Sequence, residues 1–314
     1  MRKILIVKTT SMGDLVHALP AACDIARHMP EAQIHWLSES SFADIPRLCS
    51  AVTAVHEVAL RKWKHAPFSS ETRQAVARVR DELEAARFDT VIDLQGLVKS
   101  AWVARWAKAP VYGYDRRSIR EPLASFFYSK TFAVSRQMHA IERCRRLAAL
   151  ACQFPFEEKP LDFGIKLAKS ATQTVYFMPS TSQARKLWAE DAWVKLGQRL
   201  AAEGYDVRVL WGSVPERERA ERIARAIGTN ATLNPKMSLR ELADAFAASS
   251  GVFALDTGLL HLAAALAIPA IGIYTDSKPL LLGVVGEKVA TVGGKDTIPD
   301  VDTVWDAFRR LACR

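Results

Sequence analysis

The chain has 314 residues, 49% of them hydrophobic, with mean hydropathy near zero. That suits two soluble domains of ordinary size and excludes a disordered or low-complexity chain. The net charge of +9 is uneven: residues 1–160 carry 24 Lys and Arg against 17 Asp and Glu, and residues 161–314 carry 19 against 17.

In chain order, KILIVK (3–8), QIHWLSE (33–39), AVHEVAL (54–60) and DTVIDLQ (89–95) read as strands. The apolar spacing of 15–28, 71–86 and 97–107 predicts helices between and after them. LRKWKH (60–65) and YDRRSIREPL (114–123) read as basic loops after strands. CQFPFEEKPLDFGIK (152–166), rich in Pro and charge, reads as a linker. Beyond it TVYFMPS, DVRVLWG, GVFALDT and AIGIYT are strands, separated by helices at 190–202, 215–227, 238–248 and 258–267. The helix at 301–312 is free to fold back on the first domain. Apolar strands alternating with helices imply α/β architecture, two doubly wound parallel sheets covered on both faces. The expected domains are 1–160 and 161–314, facing each other with ligands held at the carboxyl ends of the strands across one cleft.

The most apolar stretch, 259–274, contains His261 and Pro269 and is too short and broken to span a bilayer. Arg2 and Lys3 run straight into a strand pattern, unlike a signal peptide. Five cysteines without a CxxC pair read as free thiols of a reducing cytoplasm. The basic first half implies an anionic partner: nucleic acid, an acidic substrate or a membrane surface. From charge alone, a merely soluble surface is the more ordinary reading.

Three constellations carry chemistry. LDTGLLHLAAAL (255–266) ends a strand at Asp256 and opens a helix at Thr257-Gly258, whose free N–H groups favour an anion, with His261 one turn in. The plainer reading is an N-cap with a buried histidine. FMPSTSQARKLW (177–188) sets Ser180, Thr181 and Ser182 before Lys186, a set suited to a diphosphate; the alternative is a solvated turn anchored by Trp188. In LWGSVPERERAERI (210–223), Glu216 either caps its helix or accepts two ribose hydroxyls, and alone capping is the better reading. No GxGxxG follows a strand and no GxxxxGK[ST] occurs, which disfavours dinucleotide oxidoreductases and P-loop hydrolases. The single DxD, Asp300–Asp302, is explained by helix capping, and no His/Cys/Asp cluster has metal-ligand spacing.

KTTSMGDLVHALP, VIDLQGLVKSA, REPLASFFY, KMSL and DTGLLHL, in that order over nearly the whole chain, strongly resemble the lipopolysaccharide heptosyltransferases, specifically the inner-core type I enzymes. REPLASFFY and the SMGD turn are the most specific of these. The resemblance implies the GT-B fold and inverting transfer of L-glycero-D-manno-heptose from ADP-heptose to the Kdo of Kdo₂-lipid A. A sibling that adds a later heptose is the alternative. It implies Asp14 as general base on the acceptor side, in a turn that otherwise looks shaped for a phosphate. It implies Lys186 and the Asp256-Thr257-Gly258 helix start with His261 at the departing ADP, Thr181 and Ser182 near the diphosphate, Glu216 at the ribose and Met237 by the adenine. Arg61, Lys62, Lys64 and Arg120 match positions that meet the acceptor's anionic groups. No metal, cofactor or nucleic acid is expected. The expected location is cytoplasmic, peripheral on the cytoplasmic face of the inner membrane.

Overall fold

The computed structural model describes residues 2–170, 172–181, 183–276 and 281–312. The chain divides into two compact units, Met1–Ile165 and Lys166–Arg314.

In the first unit the strands are β1 (Lys3–Val7), β2 (Gln33–Glu39), β3 (Ala54–Val58), β4 (Thr90–Asp93), β5 (Val111–Tyr114) and β6 (Lys130–Phe132). They pair in the order β3-β2-β1-β4-β5-β6, and every pairing is parallel. The helices are α1 (Met12–His28), α2 (Asp44–Arg47), α3 (Leu60–His65), α4 (Ser70–Ala85), α5 (Val98–Ala104) and α6 (Ala140–Cys152). A parallel sheet needs a crossover between strands and cover on both faces. Accordingly Ile4, Leu5, Ile6 and Val7 of β1 are all buried. α6 packs on α1, where the Arg145 Nε donates to Asp24 Oδ2 at 2.6 Å in a buried ion pair.

The second unit repeats the plan with β7 (Thr174–Met178), β8 (Asp206–Val209), β9 (Ala231–Leu233), β10 (Gly251–Leu255), β11 (Ala270–Tyr274) and β12 (Val289–Gly293). Its order is β12-β11-β10-β7-β8-β9, again parallel throughout. The helices are α7 (Glu190–Ala202), α8 (Val214–Ile227), α9 (Leu239–Ala247), α10 (Gly258–Ala265) and α11 (Val301–Ala312). Both sheets thus have the doubly wound order 3-2-1-4-5-6, with the reversal between the first and fourth strands.

α11 belongs to the second unit: Val304, Trp305, Phe308 and Leu311 are part of the second core with Phe177, Trp193 and Phe253. The Trp188 indole N–H, donating to Pro299 O at 2.9 Å, ties the approach to that helix to the same core. LRKWKH is not a loop but α3. Its first two N–H groups, of Leu60 and Arg61, donate to the Glu39 carboxylate at 3.2 and 3.1 Å, and Trp63 turns toward Trp106 at 6.4 Å between rings.

Candidate active site

In a doubly wound sheet the ligand crevice lies beyond the carboxyl ends of the strands, where the order reverses. Each unit has one such point, between β1 and β4 and between β7 and β10.

At the first, the chain leaves β1 through Lys8–Ser11 and enters α1. Gln95, just past β4, accepts the N–H groups of Thr9 at 2.9 Å and Thr10 at 3.1 Å on one side-chain oxygen. Lys8 Nζ crosses the other way to Leu94 O at 3.0 Å. Asp14, half-buried in the first turn of α1, accepts on Oδ2 from Ser11 N at 2.9 Å and Ser11 Oγ at 2.8 Å. Its carboxylate therefore caps the helix while standing at the strand ends, next to a glycine.

Behind this turn lies a hub that the residue patterns did not announce. Asp93, fully buried, accepts from Gln95 N (2.8 Å), Gly96 N (3.2 Å), Ser100 Oγ (2.8 Å) and Tyr128 OH (2.7 Å). Burial pushes its carboxyl up, against these four bonds, which pull it down. The VIDLQG and REPLASFFY motifs are thus one construction. Gly113 is required by it, since a Cβ there would meet the Tyr128 ring at 2.3 Å. Gly96, at φ +71°, takes the left-handed turn, and its carbonyl accepts from Glu121 N at 3.2 Å. Glu39 N donates to Thr9 O at 3.2 Å, so the β2 end joins the same cluster. The structure therefore brings the Asp14 turn, the α3 start with Arg61, and the Arg120 segment to one edge of the sheet. Arg61, Lys62, Lys64 and Arg120 are exposed, with the Arg61 guanidinium 5.5 Å from the Phe42 ring.

At the second point, Lys186 Nζ and Asp256 Oδ2 are 2.8 Å apart and partly buried, joining the loop after β7 to the end of β10. Three hydroxyl oxygens here are buried without a hydrogen-bond partner among the described residues: Ser180, Thr257 and Thr275. They follow β7, β10 and β11, three neighbouring strands. A buried polar atom left unpaired costs about 1–3 kcal/mol, and a ligand rich in acceptors would remove that cost. Thr181 lies in the same loop; Ser182 is outside the described residues. His261 is buried in the first turn of α10.

Glu216 Oε2 accepts from Gly212 N at 2.8 Å and Ser213 N at 3.0 Å, which caps α8. Trp211 Nε1 donates to Asn234 O at 2.9 Å, and Asn234 Nδ2 to Met237 Sδ at 3.1 Å. The Glu216 turn and Met237 are therefore linked at the β8–β9 side of the edge, apart from the Lys186–Asp256 pair.

Sequence reasoning missed two residues here. Arg219 of α8 donates to Pro179 O (3.2 Å) and Trp188 O (2.6 Å), clamping both ends of the loop that carries Ser180, Thr181 and Lys186. Its Nη1 pairs with Glu190 at 2.9 Å, and nothing in the spacing of ERERAERI singles it out from the neighbouring charges. Thr275 follows β11 as Thr257 follows β10, and that repetition was a usable signal. Among the described residues no group of three or more His, Cys, Asp or Glu side chains gathers as a metal site.

The model of glycosyltransferase family 9 (heptosyltransferase) matches residues 76–303. Lipopolysaccharide heptosyltransferase 1 of Pseudomonas aeruginosa is 40% identical over 297 residues, which covers 93% of this chain and 83% of the relative. The Escherichia coli K12 protein of the same name is 39% identical over 292 residues, 91% of each. Among solved structures, E. coli heptosyltransferase WaaC with ADP superposes with a TM-score of 0.93 at 35% identity, covering 98% of this chain and 99% of that one. The same enzyme with ADP-2-deoxy-2-fluoro heptose gives a TM-score of 0.87 at 35% identity, covering 98% of each chain.

Proposed function

Since the chain belongs to glycosyltransferase family 9, the heptosyltransferases, we propose that it moves L-glycero-D-manno-heptose from ADP-heptose to the Kdo of Kdo₂-lipid A, with inversion. The observation that carries this is the likeness, over nine-tenths of the chain, to enzymes named lipopolysaccharide heptosyltransferase 1. The repeated 3-2-1-4-5-6 sheet agrees with the GT-B fold. Within this reading the first unit binds the acceptor and the second binds the ADP-sugar.

The proposed chemistry draws on both switch points. The bond from the heptose anomeric carbon to the diphosphate oxygen breaks, and its electron pair leaves with ADP. The Kdo hydroxyl oxygen bonds to that carbon from the opposite side, and its proton goes to the Asp14 carboxylate. A single displacement inverts the centre and needs no enzyme nucleophile. Lys186, held at Asp256, answers the charge that develops on the diphosphate, so no metal enters the mechanism. Thr181, Ser182, Thr257, the Gly258 N–H side of α10 and His261 serve the ADP-sugar's phosphates. Glu216 serves the ribose through the carboxylate oxygen not engaged in capping, and Met237 borders the adenine. Arg61, Lys62, Lys64 and Arg120 meet the acceptor's carboxylates and phosphates. The excess of positive charge in residues 1–160 draws the enzyme to the anionic cytoplasmic face of the inner membrane.

The test is ADP release with Kdo₂-lipid A against an acceptor that already carries the first heptose. Turnover with the former and little with the latter is expected. The reverse preference would make the protein a sibling that adds a later heptose.

A further inference from the structure

Large apolar side chains that stand in water on an otherwise well-packed unit call for a reason. Phe126 and Leu123 are 71% and 67% exposed. Both lie in the 3₁₀ turn Pro122–Phe127. A 3₁₀ turn repeats every three residues, so positions i and i+3 stack along one edge. Leu123 and Phe126 are therefore one apolar ridge, with Ala124 buried on the inner side. The ridge is held firmly: Tyr128 anchors one end on Asp93 at 2.7 Å, and Glu121 at the other accepts from Val98 N at 2.7 Å. α5 packs beside this turn and adds Trp102, 51% exposed and edge-on to Trp106 at 4.9 Å.

The rim is cationic. The Arg116 guanidinium lies 5.9 Å from the Phe126 ring. Arg117 and Arg120 precede the turn and Lys99 lies on α5; all three are exposed. The two acids of this segment are already engaged, Glu121 with Val98 N and Asp115 with Ser118 N at 2.8 Å.

We propose that this ridge docks the first unit on an anionic lipid surface, with Leu123 and Phe126 entering the acyl boundary and the surrounding cations meeting the headgroups. It rests on the reading above in that a lipid-anchored acceptor places the enzyme at a bilayer, and it names the element that holds it there. An apolar wedge ringed by Lys and Arg has the composition of an interfacial anchor. A symmetric contact between two copies across the same ridge would set these cations against their own images, so charge favours the lipid over a second copy.

The experiment is co-sedimentation of the purified protein with phosphatidylcholine vesicles, with and without phosphatidylglycerol, in the absence of sugar nucleotide and acceptor. Binding is expected on the phosphatidylglycerol vesicles and should weaken as salt rises. The double variant Leu123→Ser, Phe126→Ser should lower the partition coefficient by about tenfold or more with the parent's melting temperature, because both side chains are exposed. Unchanged partitioning of that variant, or a parent that ignores phosphatidylglycerol vesicles, would overturn the proposal. So would a parent that dimerises in sedimentation velocity through a contact the variant abolishes. No substrate is present, so failure here leaves heptosyl transfer standing, and absence of ADP release with Kdo₂-lipid A leaves the docking standing.

Discussion

The two switch points share a sheet order and differ in what their loops still lack. The β1–α1 loop has its backbone donors met: Gln95 takes the N–H groups of Thr9 and Thr10, and Asp14 takes the N–H and O–H of Ser11. One orphan, Thr9 Oγ1, is left there. The β7–α7 loop is clamped by its carbonyls to Arg219, and the surrounding strand ends leave three hydroxyl oxygens without a partner among the described residues. A loop already satisfied holds a reacting group still, whereas an edge with unpaired hydroxyls is built to be completed by a ligand. The difference suits the division proposed above, a base at the first point and a diphosphate at the second.

The largest effect should come from Asp14→Asn, which keeps the shape and removes the basicity. Turnover should fall by roughly 10²–10⁴, while ADP-heptose binding by calorimetry stays at the parent's value. Loss of donor affinity in this variant would show that the two points do not divide the work. Next is Lys186→Ala, with a loss on the order of 10²–10³ in turnover and weaker donor binding as well. Near-normal steady-state kinetics would remove Lys186 from the chemistry and leave the ion pair with Asp256 structural.

A matched pair sharpens the contrast further. Gln95→Leu strands two backbone donors and Arg219→Gln loosens two carbonyls, each costing about 1–3 kcal/mol in denaturant unfolding. Gln95→Leu should lower kcat with little change in the KM for ADP-heptose, whereas Arg219→Gln should raise that KM. Identical kinetic profiles for the two variants would erase the distinction between the two loops. The smallest expected effect is none at all: EDTA should leave turnover intact. Activity abolished by the chelator and restored by Mg²⁺ or Mn²⁺ would transfer the charge-balancing role from Lys186 to a metal.

Much of the framework was legible because parallel strands buried on both faces are continuous apolar runs. QIHWLSE and the 190–202 helix were read with the bounds that the structure gives. The short strands β5, β6, β9 and β12 were not read, because three to five residues such as KTF or ATL carry little pattern of their own; sheet pairing supplies their stability. α3 was mistaken for a loop because its N-terminal cap is a side chain distant in sequence, Glu39. In the site, Lys186 and Asp256 stood out singly, but their pairing needed the fold. The Asp93 hub and the Arg219 clamp act on backbone atoms of other segments, and no local spacing betrays such a partner.

The placement of α11 bears on how the protein is made. The first sheet and its helices lie within residues 2–165, whereas the second core includes Trp305 and Phe308, the latter ring 5.0 Å from Phe253. On a ribosome that adds about 5–20 residues per second, the first unit can therefore finish on the order of ten seconds before the second. Until α11 is made, β10 and β11, which it packs against, lack that cover. Truncating residues 304–311 should accordingly yield a chain whose first half is native and whose second half is prey to proteases and chaperones.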